Sequence, residues 1–466
     1  MKDKKKSLDY RVRSWMLPGL KRYILMIALS IASIIFGVLW LLDKHPLMRI
    51  GNFVHEMVSD YKQVLSTKAN GIIAISVGGL GLFIFILKMT QEVLGAYLPE
   101  DREAIPDVLY RRRYLERGPK VVVIGGGTGL SNLLKGLKRY TNNITAIVTV
   151  GDDGGSSGRL RQELGVLPPG DIRNCITALA DEEKIVTELF RYRFESGEGL
   201  EGHSFGNLFI TALCAVTGGD IIKATRTASH VLNSCGQVLP STLSSLTLTA
   251  EFVDGTKVTG ESVLTTVGKR IKTITCEPAL PEAVQEAVEA ILDAELIVLG
   301  PGSLYTSIIP NLLVPGIVSA IRAAEGRKLY VCNVSTQAGE TTGYSVGDHV
   351  EALLAHAGSV KTNEGRLLHA VLVNEGKTDQ TAFVRFDPEK VKEQGLTVIK
   401  RPLTSDTTVA HHDSTKLARA IVMWLYRTGR MRAPKGKVVR KAEPKKLENK
   451  KLETAADNVV KVGEKV

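Results

Sequence analysis

The first segment that could carry chemistry is a glycine-rich turn between an apolar run and a helical pattern. Val121–Leu137 reads VVVIGGGTGLSNLLKGL, in which the apolar run is typical of a buried strand. Backbone N–H groups at a glycine turn approach a ligand closely, and the start of a helix favours an anion. Leu130 replaces the third glycine of G-x-G-x-x-G and the lysine of a P-loop is absent, so neither motif is complete. The segment predicts phosphate contacts from Gly125, Gly126, Gly127, Thr128 and Gly129.

A second polar segment, GDDGGSSGRLR, follows the next apolar run. Two adjacent carboxylates with nearby hydroxyls at the end of a strand could hold Mg²⁺, which completes its shell with water and substrate phosphate. An Asp-Gly surface turn explains the same residues equally well, so no cofactor is certain and magnesium is one alternative. The segment contributes Asp152 and Asp153 as metal-ligand candidates and Ser156, Ser157 and Arg159 as ligand-binding candidates.

Three further loops carry polar groups at the predicted starts of helices. In PPGDIRN, Asp171 could cap a helix, and Asn174 adds an amide. In GHSFGNL, His203 is expected to be hydrogen-bonded rather than to act as a general base. The remaining candidates are Ser204 and Asn207 from that loop, Gly300, Gly302 and Ser303 from LGPGS, and Asn333 from NVSTQAGETT.

The elements around these loops alternate between short apolar runs and helical patterns, which predicts a parallel sheet covered by helices on both faces. Strands are predicted at 120–124, 144–150, 296–299, 329–334 and 369–373, and helices at 131–139, 205–216, 221–232, 281–292 and 415–426. An antiparallel hairpin, with its turn at Asp254-Gly255, is predicted at 245–260. Ligands of such sheets bind outside the carboxyl ends of the strands, so one shared cleft is expected. Its donors and hydroxyls favour a nucleotide or nucleotide-sugar.

The charge is concentrated at the two ends of the chain. Of the formal +11, residues 1–22 carry +6 and residues 430–466 carry +7, which leaves −2 for everything between them. Aromatic residues make up only 6% of the chain, so a nucleic-acid interface is not indicated. The five scattered cysteines form no C-x-x-C pair, which fits a reducing compartment.

Two apolar segments near the start predict a membrane hairpin. Residues 23–42 contain no charge over twenty positions, and residues 71–87 are at the lower length limit of a span. One span plus a buried apolar segment is the alternative, whereas a cleaved signal peptide is disfavoured because the first run is too long. Basic flanks place both termini and the main domain in the cytoplasm of a multi-pass cell-membrane protein. The predicted organisation is a basic N-terminus (1–22), a span (23–42), an external loop (43–70), a span (71–87), a linker (88–119), the nucleotide-sugar domain (120–429) and a basic disordered tail (430–466).

The motifs taken together resemble those of the gluconeogenesis-factor family, which is related to 2-phospho-L-lactate transferase. The resemblance covers residues 120–426 and rests on GGGTGL, DDGGSSGRLR, PPGDIRNC, GHSFGNLF, LGPGSLYTS and NVSTQAGET. It implies a modified Rossmann-like fold and binding of UDP-N-acetylglucosamine. It also implies a regulatory role in cell-wall precursor supply and cell morphology on gluconeogenic carbon sources, with a cell-wall precursor enzyme as a partner.

Other functions remain open at this stage. A Mg²⁺-dependent nucleotide-linked transferase is the main alternative, and a homodimer is an open alternative for assembly. A NAD(P) oxidoreductase is the weakest candidate because of Leu130.

Overall fold

The computed structural model describes residues 20–42, 67–97, 114–180, 184–358, 365–376, 383–405 and 410–428. The chain divides into two compact units, Met1–Arg112 and Arg113–Val466. Residues 1–19, the tail from 429 onward, residues 43–66 of the predicted external loop and residues 98–113 of the predicted linker lie outside the described residues.

The first unit contains helices α1 (Leu20–Leu41) and α2 (Thr67–Tyr97), which pack against each other as an antiparallel pair. Within them, Arg22–Leu41 and Gly71–Glu92 are long and apolar enough to cross a membrane. A Cβ atom on Gly78 would lie 2.7 Å from a side-chain carbon of Ile34, whereas one on Gly79 would meet nothing within 4 Å. A close contact between the helices is therefore present at Gly78 and absent at Gly79.

The second unit is an α/β body built on a seven-stranded sheet in which every neighbouring pair is parallel. Its strands are β1 (Val121–Gly125), β2 (Ile144–Val148), β3 (Gln237–Pro240), β7 (Leu296–Leu299), β8 (Arg327–Val331), β9 (Ala370–Asn374) and β10 (Thr397–Arg401). Their order across the sheet is β10-β9-β8-β7-β1-β2-β3. The side chains of β1 alternate between two cores, since Val122 and Ile124 pack into one and Val121 and Val123 into the other. Both faces of the sheet are covered, which explains why its central strands read as unbroken apolar runs.

Thirteen helices are assigned within the described part of the body. They are α3 (Gly127–Leu137), α4 (Gly155–Leu164), α5 (Gly170–Leu179), α6 (Lys184–Arg191), α7 (Phe205–Val216), α8 (Ile221–Val231), α9 (Glu261–Leu264), α10 (Gln285–Asp293), α11 (Ile309–Leu312), α12 (Pro315–Ala323), α13 (Val346–His356), α14 (Pro388–Glu393) and α15 (Ser414–Arg427). A π-helical turn, Leu304–Ile308, leads directly into α11. These elements confirm the predicted Rossmann-like architecture.

The predicted hairpin is part of a three-stranded antiparallel sheet. Its strands are β4 (Thr247–Phe252), β5 (Lys257–Thr259) and β6 (Ile271–Glu277), arranged in the order β5-β4-β6. Alternate residues of β4 are buried, and Leu248, Ala250 and Phe252 join the larger core. The third strand, β6, was not predicted from the sequence.

The segment from Gly151 to Arg161 differs from the flexible polar loop that the sequence predicts. Helix α4 begins at Gly155, so Ser156 and Ser157 are helical and buried. The helix ends at Gly165, whose φ of 66° is the left-handed conformation that glycine adopts most easily at a helix C-terminus. The loop is thus only the short stretch between the end of β2 and Gly155.

Candidate functional site

The site lies where the strand order reverses. β1 and β7 are neighbours, the chain continues from β1 to β2 on one side, and it continues from β7 to β8 on the other. In an open parallel sheet, such a reversal leaves a crevice at the carboxyl ends of the two strands. Four of the loops that carry predicted site residues follow β1, β2, β7 and β8 at this edge of the sheet, and the other two connect helices.

The two glycine turns at the crevice pack backbone against backbone. The N–H of Gly300 donates to the carbonyl of Ile124 at 2.8 Å. A Cβ on Gly129 would come within 2.7 Å of the Pro301 carbonyl oxygen, and one on Gly302 within 3.1 Å of the Gly126 carbonyl oxygen. Gly129 and Gly302 are therefore needed partly for a steric reason, because side chains there would separate the turns after β1 and β7.

The start of α3 already holds a carboxylate. The N–H of Gly127 donates to Asp171 Oδ1 at 2.8 Å, and a Cβ on Gly126 would lie 2.3 Å from Asp171 Oδ2. The sequence predicts that Asp171 caps a helix, but the residue at the N-cap of its own helix α5 is Pro169. Asp171 instead binds the first turn of α3, because folding brings α5 against that turn.

Asp171 is electrostatically unusual. Burial raises the pKa of Asp171 to about 6, the hydrogen bond from Gly127 opposes this increase, and the negative charge of Asp152 adds to it. Its carboxyl group therefore titrates closer to neutrality than an ordinary aspartate.

The adjacent residues Asp152 and Asp153 have different partners. Asp152 Oδ1 accepts the N–H of Gly154 at 2.9 Å, within its own loop. Asp153 accepts the N–H groups of Glu261 at 2.9 Å and Ser262 at 2.8 Å, the first two residues of α9. Asp153 therefore fastens the loop to the antiparallel insertion.

Glu261 is an acidic residue that the sequence analysis did not select. Its Oε2 atom is shielded from solvent and has no hydrogen-bond partner among the described residues. Burial raises the pKa of Glu261 to about 9, and the negative charges of Asp152 and Asp171 contribute next. The carboxylates that interact are therefore Asp152, Asp171 and Glu261.

This arrangement bears on the predicted metal. Among the described residues, no three or more His, Cys, Asp or Glu side chains are grouped so that they could hold a metal ion. The Asp153 carboxylate already accepts two backbone N–H groups, and Asp152 accepts one from Gly154. Magnesium binding stays a prediction.

A buried hydrogen-bonded cluster joins the start of α4 to the start of α7. Ser156 Oγ lies 3.0 Å from His203 Nδ1 and accepts from Asn207 Nδ2 at 3.1 Å and from the N–H of Ser204 at 3.3 Å. Asn207 Nδ2 also lies 3.4 Å from Ser157 Oγ. Because Ser156 Oγ already accepts twice, we infer that its own hydrogen is donated to His203 Nδ1.

His203 is neutral in this setting. Burial lowers the pKa of His203, and the positive charges of Arg159 and Arg193 lower it further. The imidazole is only 3% exposed, in keeping with the hydrogen-bonded role expected of it. Five predicted residues thus form one cluster, namely Ser156, Ser157, His203, Ser204 and Asn207.

The two arginines near this cluster support the protein's own structure. Arg159 donates to the carbonyl of Glu201 at 2.7 Å. Arg173 donates to Ser204 Oγ and, at 2.8 Å, to Asn174 Oδ1. Arg159 and Asn174 are therefore engaged with neighbouring protein groups.

The turns after β7 and β8 form a second cluster. Asn333 accepts from the N–H of Gly302 at 3.2 Å and donates to its carbonyl at 2.7 Å. Gln337, which was not selected from the sequence, donates to Ser303 Oγ at 2.7 Å. The structure thus brings Gly300, Gly302, Ser303 and Asn333 together beside the turn Gly125–Gly129.

Two more buried groups at this edge were missed. Glu340 accepts the N–H of Tyr305 at 3.1 Å and the hydroxyl of Thr306 at 3.0 Å, at the start of the π-helical turn. His412 is 7% exposed, its Nε2 has no hydrogen-bond partner within the described ranges, and burial lowers its pKa to about 4. Glu340 lies inside the motif NVSTQAGETT, which could have singled it out, whereas no motif marks His412.

A groove of about 340 Å³ opens at the opposite, amino-terminal ends of the central strands. Lys120, Asn142, Asn143, Gln237 and Asp293 contribute to its lining. None of the predicted site residues borders this groove, so it is separate from the crevice at the carboxyl ends of β1 and β7.

Comparison with known proteins agrees with this fold. Residues 121–404 match the family described as 2-phospho-L-lactate transferase CofD. The chain belongs to this family, and within it to the gluconeogenesis factors. A protein from Halalkalibacterium halodurans named "Gluconeogenesis factor" is 46% identical over 308 residues, which cover 65% of this chain and 95% of that protein.

Two further similarities show how much of the chain is shared. A protein from Nostoc sp. named "Putative gluconeogenesis factor" is 46% identical over 425 residues, which cover 88% of this chain and 92% of that protein. The crystal structure of a UPF0052-family protein from Bacillus halodurans superimposes with a TM-score of 0.62 at 44% identity, and the match covers 66% of this chain and 99% of that one. The structural match thus has about the extent of the α/β body, whereas the Nostoc match extends beyond it.

Proposed function

We propose that the α/β body binds a UDP-sugar, with UDP-N-acetylglucosamine as the first candidate, and acts as a membrane-tethered regulator. On this proposal it adjusts cell-wall precursor supply and cell morphology during growth on gluconeogenic carbon sources, through contact with a cell-wall precursor enzyme. The name of the relatives supports the metabolic part of the proposal. The donor-rich crevice supports the nucleotide-sugar.

The proposal rests on which helix N-termini around the crevice already bind a carboxylate of the protein and which do not. Carboxylates of the protein itself bind the first turns of α3, α9 and the π-helical turn. In α4, Asp152 Oδ1 accepts the N–H of the N-cap residue Gly154, but no side chain of the described residues accepts from the first helical N–H groups, and the helix start carries the buried hydroxyls of Ser156 and Ser157. A helix N-terminus with free N–H groups attracts phosphate. We therefore assign the diphosphate of the ligand to the start of α4.

Two glycines at the opposite ends of α4 offer a matched test. Gly155 and Gly165 have φ values of 52° and 66°, and a Cβ on either would meet nothing within 4 Å. Gly155→Asp places a carboxylate at the proposed phosphate position, whereas Gly165→Asp places the same charge at the far end of the helix with similar backbone strain.

Titration calorimetry of the full chain in detergent with UDP-N-acetylglucosamine gives the readout. We expect saturable binding that Gly155→Asp weakens at least about tenfold and that Gly165→Asp leaves within about twofold. Equal weakening by both variants would contradict the assignment to α4. The absence of heat from folded wild-type protein at millimolar ligand would contradict UDP-sugar binding altogether.

A second candidate is a Mg²⁺-dependent nucleotide-linked transferase similar to 2-phospho-L-lactate transferase. The family match and the interacting carboxylates of Asp152, Asp171 and Glu261 favour it. A cation shared by Asp152 and Asp171 would stabilise negative charge on a transferring phosphoryl group. This candidate requires a product whose formation stops when EDTA removes the metal.

A further inference from the structure

Four basic residues lie close together beside the end of α6. Arg191 is the last residue of α6, and Arg193 follows it in the chain. Lys135 lies in the last turn of α3. Arg173 lies in α5, which packs against both α3 and α6. We call Lys135, Arg173, Arg191 and Arg193 the basic cluster.

Contacts with the start of α7 position the cluster. Arg193 pairs with Ser204 in an antiparallel bridge, and Arg173 Nη1 donates to Ser204 Oγ. A Cβ on Gly206 would lie 2.6 Å from the carbonyl oxygen of Phe190 and 2.8 Å from Arg173 Cδ. The end of α6 and the side chain of Arg173 therefore lie against the same short stretch of α7.

Lys135 and Arg191 are exposed and have no acidic partner. Neither residue takes part in an ion pair within the part of the chain that the structure describes. Partial burial lowers the pKa of Lys135, and the positive charges of Arg191 and Lys138 lower it further. The end of a helix favours a cation, but this does not account for cations of two different helices being placed next to each other.

Arg173 experiences the same repulsion. Burial lowers the pKa of Arg173, and the positive charges of Arg193 and Arg191 add to this, whereas Asp171 and Asp152 oppose it. Like charges this close destabilise one another unless an anion lies between them. The basic cluster therefore has the electrostatic character of an anion-binding site.

The charges around the cluster limit the size of that anion. Residues 181–201 contain seven acidic and three basic residues, and Glu188, Glu195, Glu198 and Glu201 are exposed. An extended anionic surface, such as a bilayer or a nucleic acid, would meet these glutamates and be repelled. A small anion of high charge can reach the cluster without meeting them. Arginine forks and a lysine ammonium group are the side chains that bind phosphate most strongly.

We propose that the basic cluster binds a small, soluble compound with two or more phosphate groups, as a second ligand of the body. Lys135 and Arg191 would contact the phosphates, and Arg173 and Arg193 would support them from the side of α7. The inference does not depend on UDP-sugar binding at the start of α4, so the two can fail separately.

Titration calorimetry of the full chain in detergent, with inorganic pyrophosphate and no divalent cation, tests the proposal. We expect saturable binding that Lys135→Gln and Arg191→Gln each weaken at least about fivefold. Lys135→Arg, which keeps the charge, should bind about as well as wild type. Arg226→Gln is the matched control, at an exposed arginine of α8 that forms no ion pair with a described residue, and it should stay within about twofold.

Two further titrations distinguish other anion sites. In the Gly155→Asp variant, whose added carboxylate opposes an anion at the start of α4, pyrophosphate should still bind with the same dependence on Lys135 and Arg191. Dihexanoyl phosphatidic acid, which presents a lipid headgroup, should bind at least about tenfold more weakly than pyrophosphate. The proposal would be overturned by any of four results: no saturable binding to folded wild type at millimolar pyrophosphate, loss of binding in Gly155→Asp, equal weakening by Arg226→Gln, or tighter binding of the lipid.

Discussion

Carboxylates of the protein occupy two helix starts that follow glycine turns, and at one of them, Gly127, the sequence predicts a ligand phosphate. Asp171 binds the N–H of Gly127, and Glu340 binds the N–H of Tyr305. In both cases a glycine turn after a strand leads into a helix start, as it does in a nucleotide site, but an anionic side chain of the protein takes the anion position. The glycine turn in the sequence therefore predicts where an anion binds. Only the structure shows whether that anion is a side chain of the protein.

The acidic cluster makes stability depend on pH. Glu261 ionises near pH 4.5 in the unfolded chain, but its pKa in the folded chain is about 9, mainly because of burial. The folded state therefore binds more protons between these values, and stability decreases as the pH rises through this range.

Glu261→Gln should remove that part of the pH dependence, because the amide imitates the protonated acid. We expect the variant to be more stable than wild type by about 5 kcal/mol at pH 8 and similar to it at pH 4, as measured by urea unfolding of the protein. Glu282→Gln, at an exposed position, is the control and should change little at either pH. An equal effect of Glu261→Gln at both pH values would contradict a buried, protonated Glu261.

At the scale of elements, the central strands could be predicted because they are buried on both faces. The predicted strands 120–124 and 296–299 coincide closely with β1 and β7, whose residues are apolar throughout. β10 could not be recognised in this way. It is an edge strand of sequence TVIKR in which only Ile399 is buried, so it lacks the apolar run that marks the centre of the sheet.

The candidate site could also be predicted only in part from the sequence. Residue types and loop positions predicted Ser156, His203 and Asn207 as site residues, and the structure places both His203 and Asn207 within hydrogen-bond distance of Ser156. The partner of Asp153 could not be predicted, because Glu261 lies more than one hundred residues further along the chain, in an insertion. Pairing across such a separation depends on tertiary packing, which local patterns do not encode.

The α1–α2 pair provides a prediction at this scale. Gly78→Val should push the helices apart, because its side chain would meet Ile34, whereas Gly79→Val points into open space. Ser33 Oγ donates to the carbonyl of Ala74 at 3.0 Å, so a Ser33→Cys, Ala74→Cys pair reports their approach. We expect Gly78→Val to slow disulfide formation at least about threefold and Gly79→Val to leave it unchanged. Equal rates in both variants would contradict the close contact at Gly78.

At the scale of the whole molecule, the chain combines an α/β body with two helices capable of crossing a membrane. A match over 65% of this chain spans 95% of the gluconeogenesis factor from Halalkalibacterium halodurans. The two apolar helices add a segment that is able to attach the chain to a membrane. A regulator fixed at the membrane would encounter enzymes that assemble lipid-linked precursors there.

The charge pattern predicts the orientation of the molecule. Residues 1–22 are strongly basic, whereas residues 43–70 contain four basic and three acidic residues. Since basic flanks stay in the cytoplasm, a thiol at Ser7→Cys and a reporter fused after Val466 should both be cytoplasmic. A thiol at Ser59→Cys should react with a membrane-impermeant maleimide added from outside. External exposure of the C-terminal reporter would show that the second apolar helix does not cross the membrane.

The central claim, that the body is a UDP-sugar-binding regulator, is tested most directly by native mass spectrometry of the full chain released from detergent. With UDP-N-acetylglucosamine present, with Mg²⁺ or with EDTA, we predict a mass increase of one intact UDP-sugar per chain and no transfer product. A different copurified nucleotide, or a product that forms only with Mg²⁺ and accumulates at steady turnover, would contradict the claim and make the transferase the primary function.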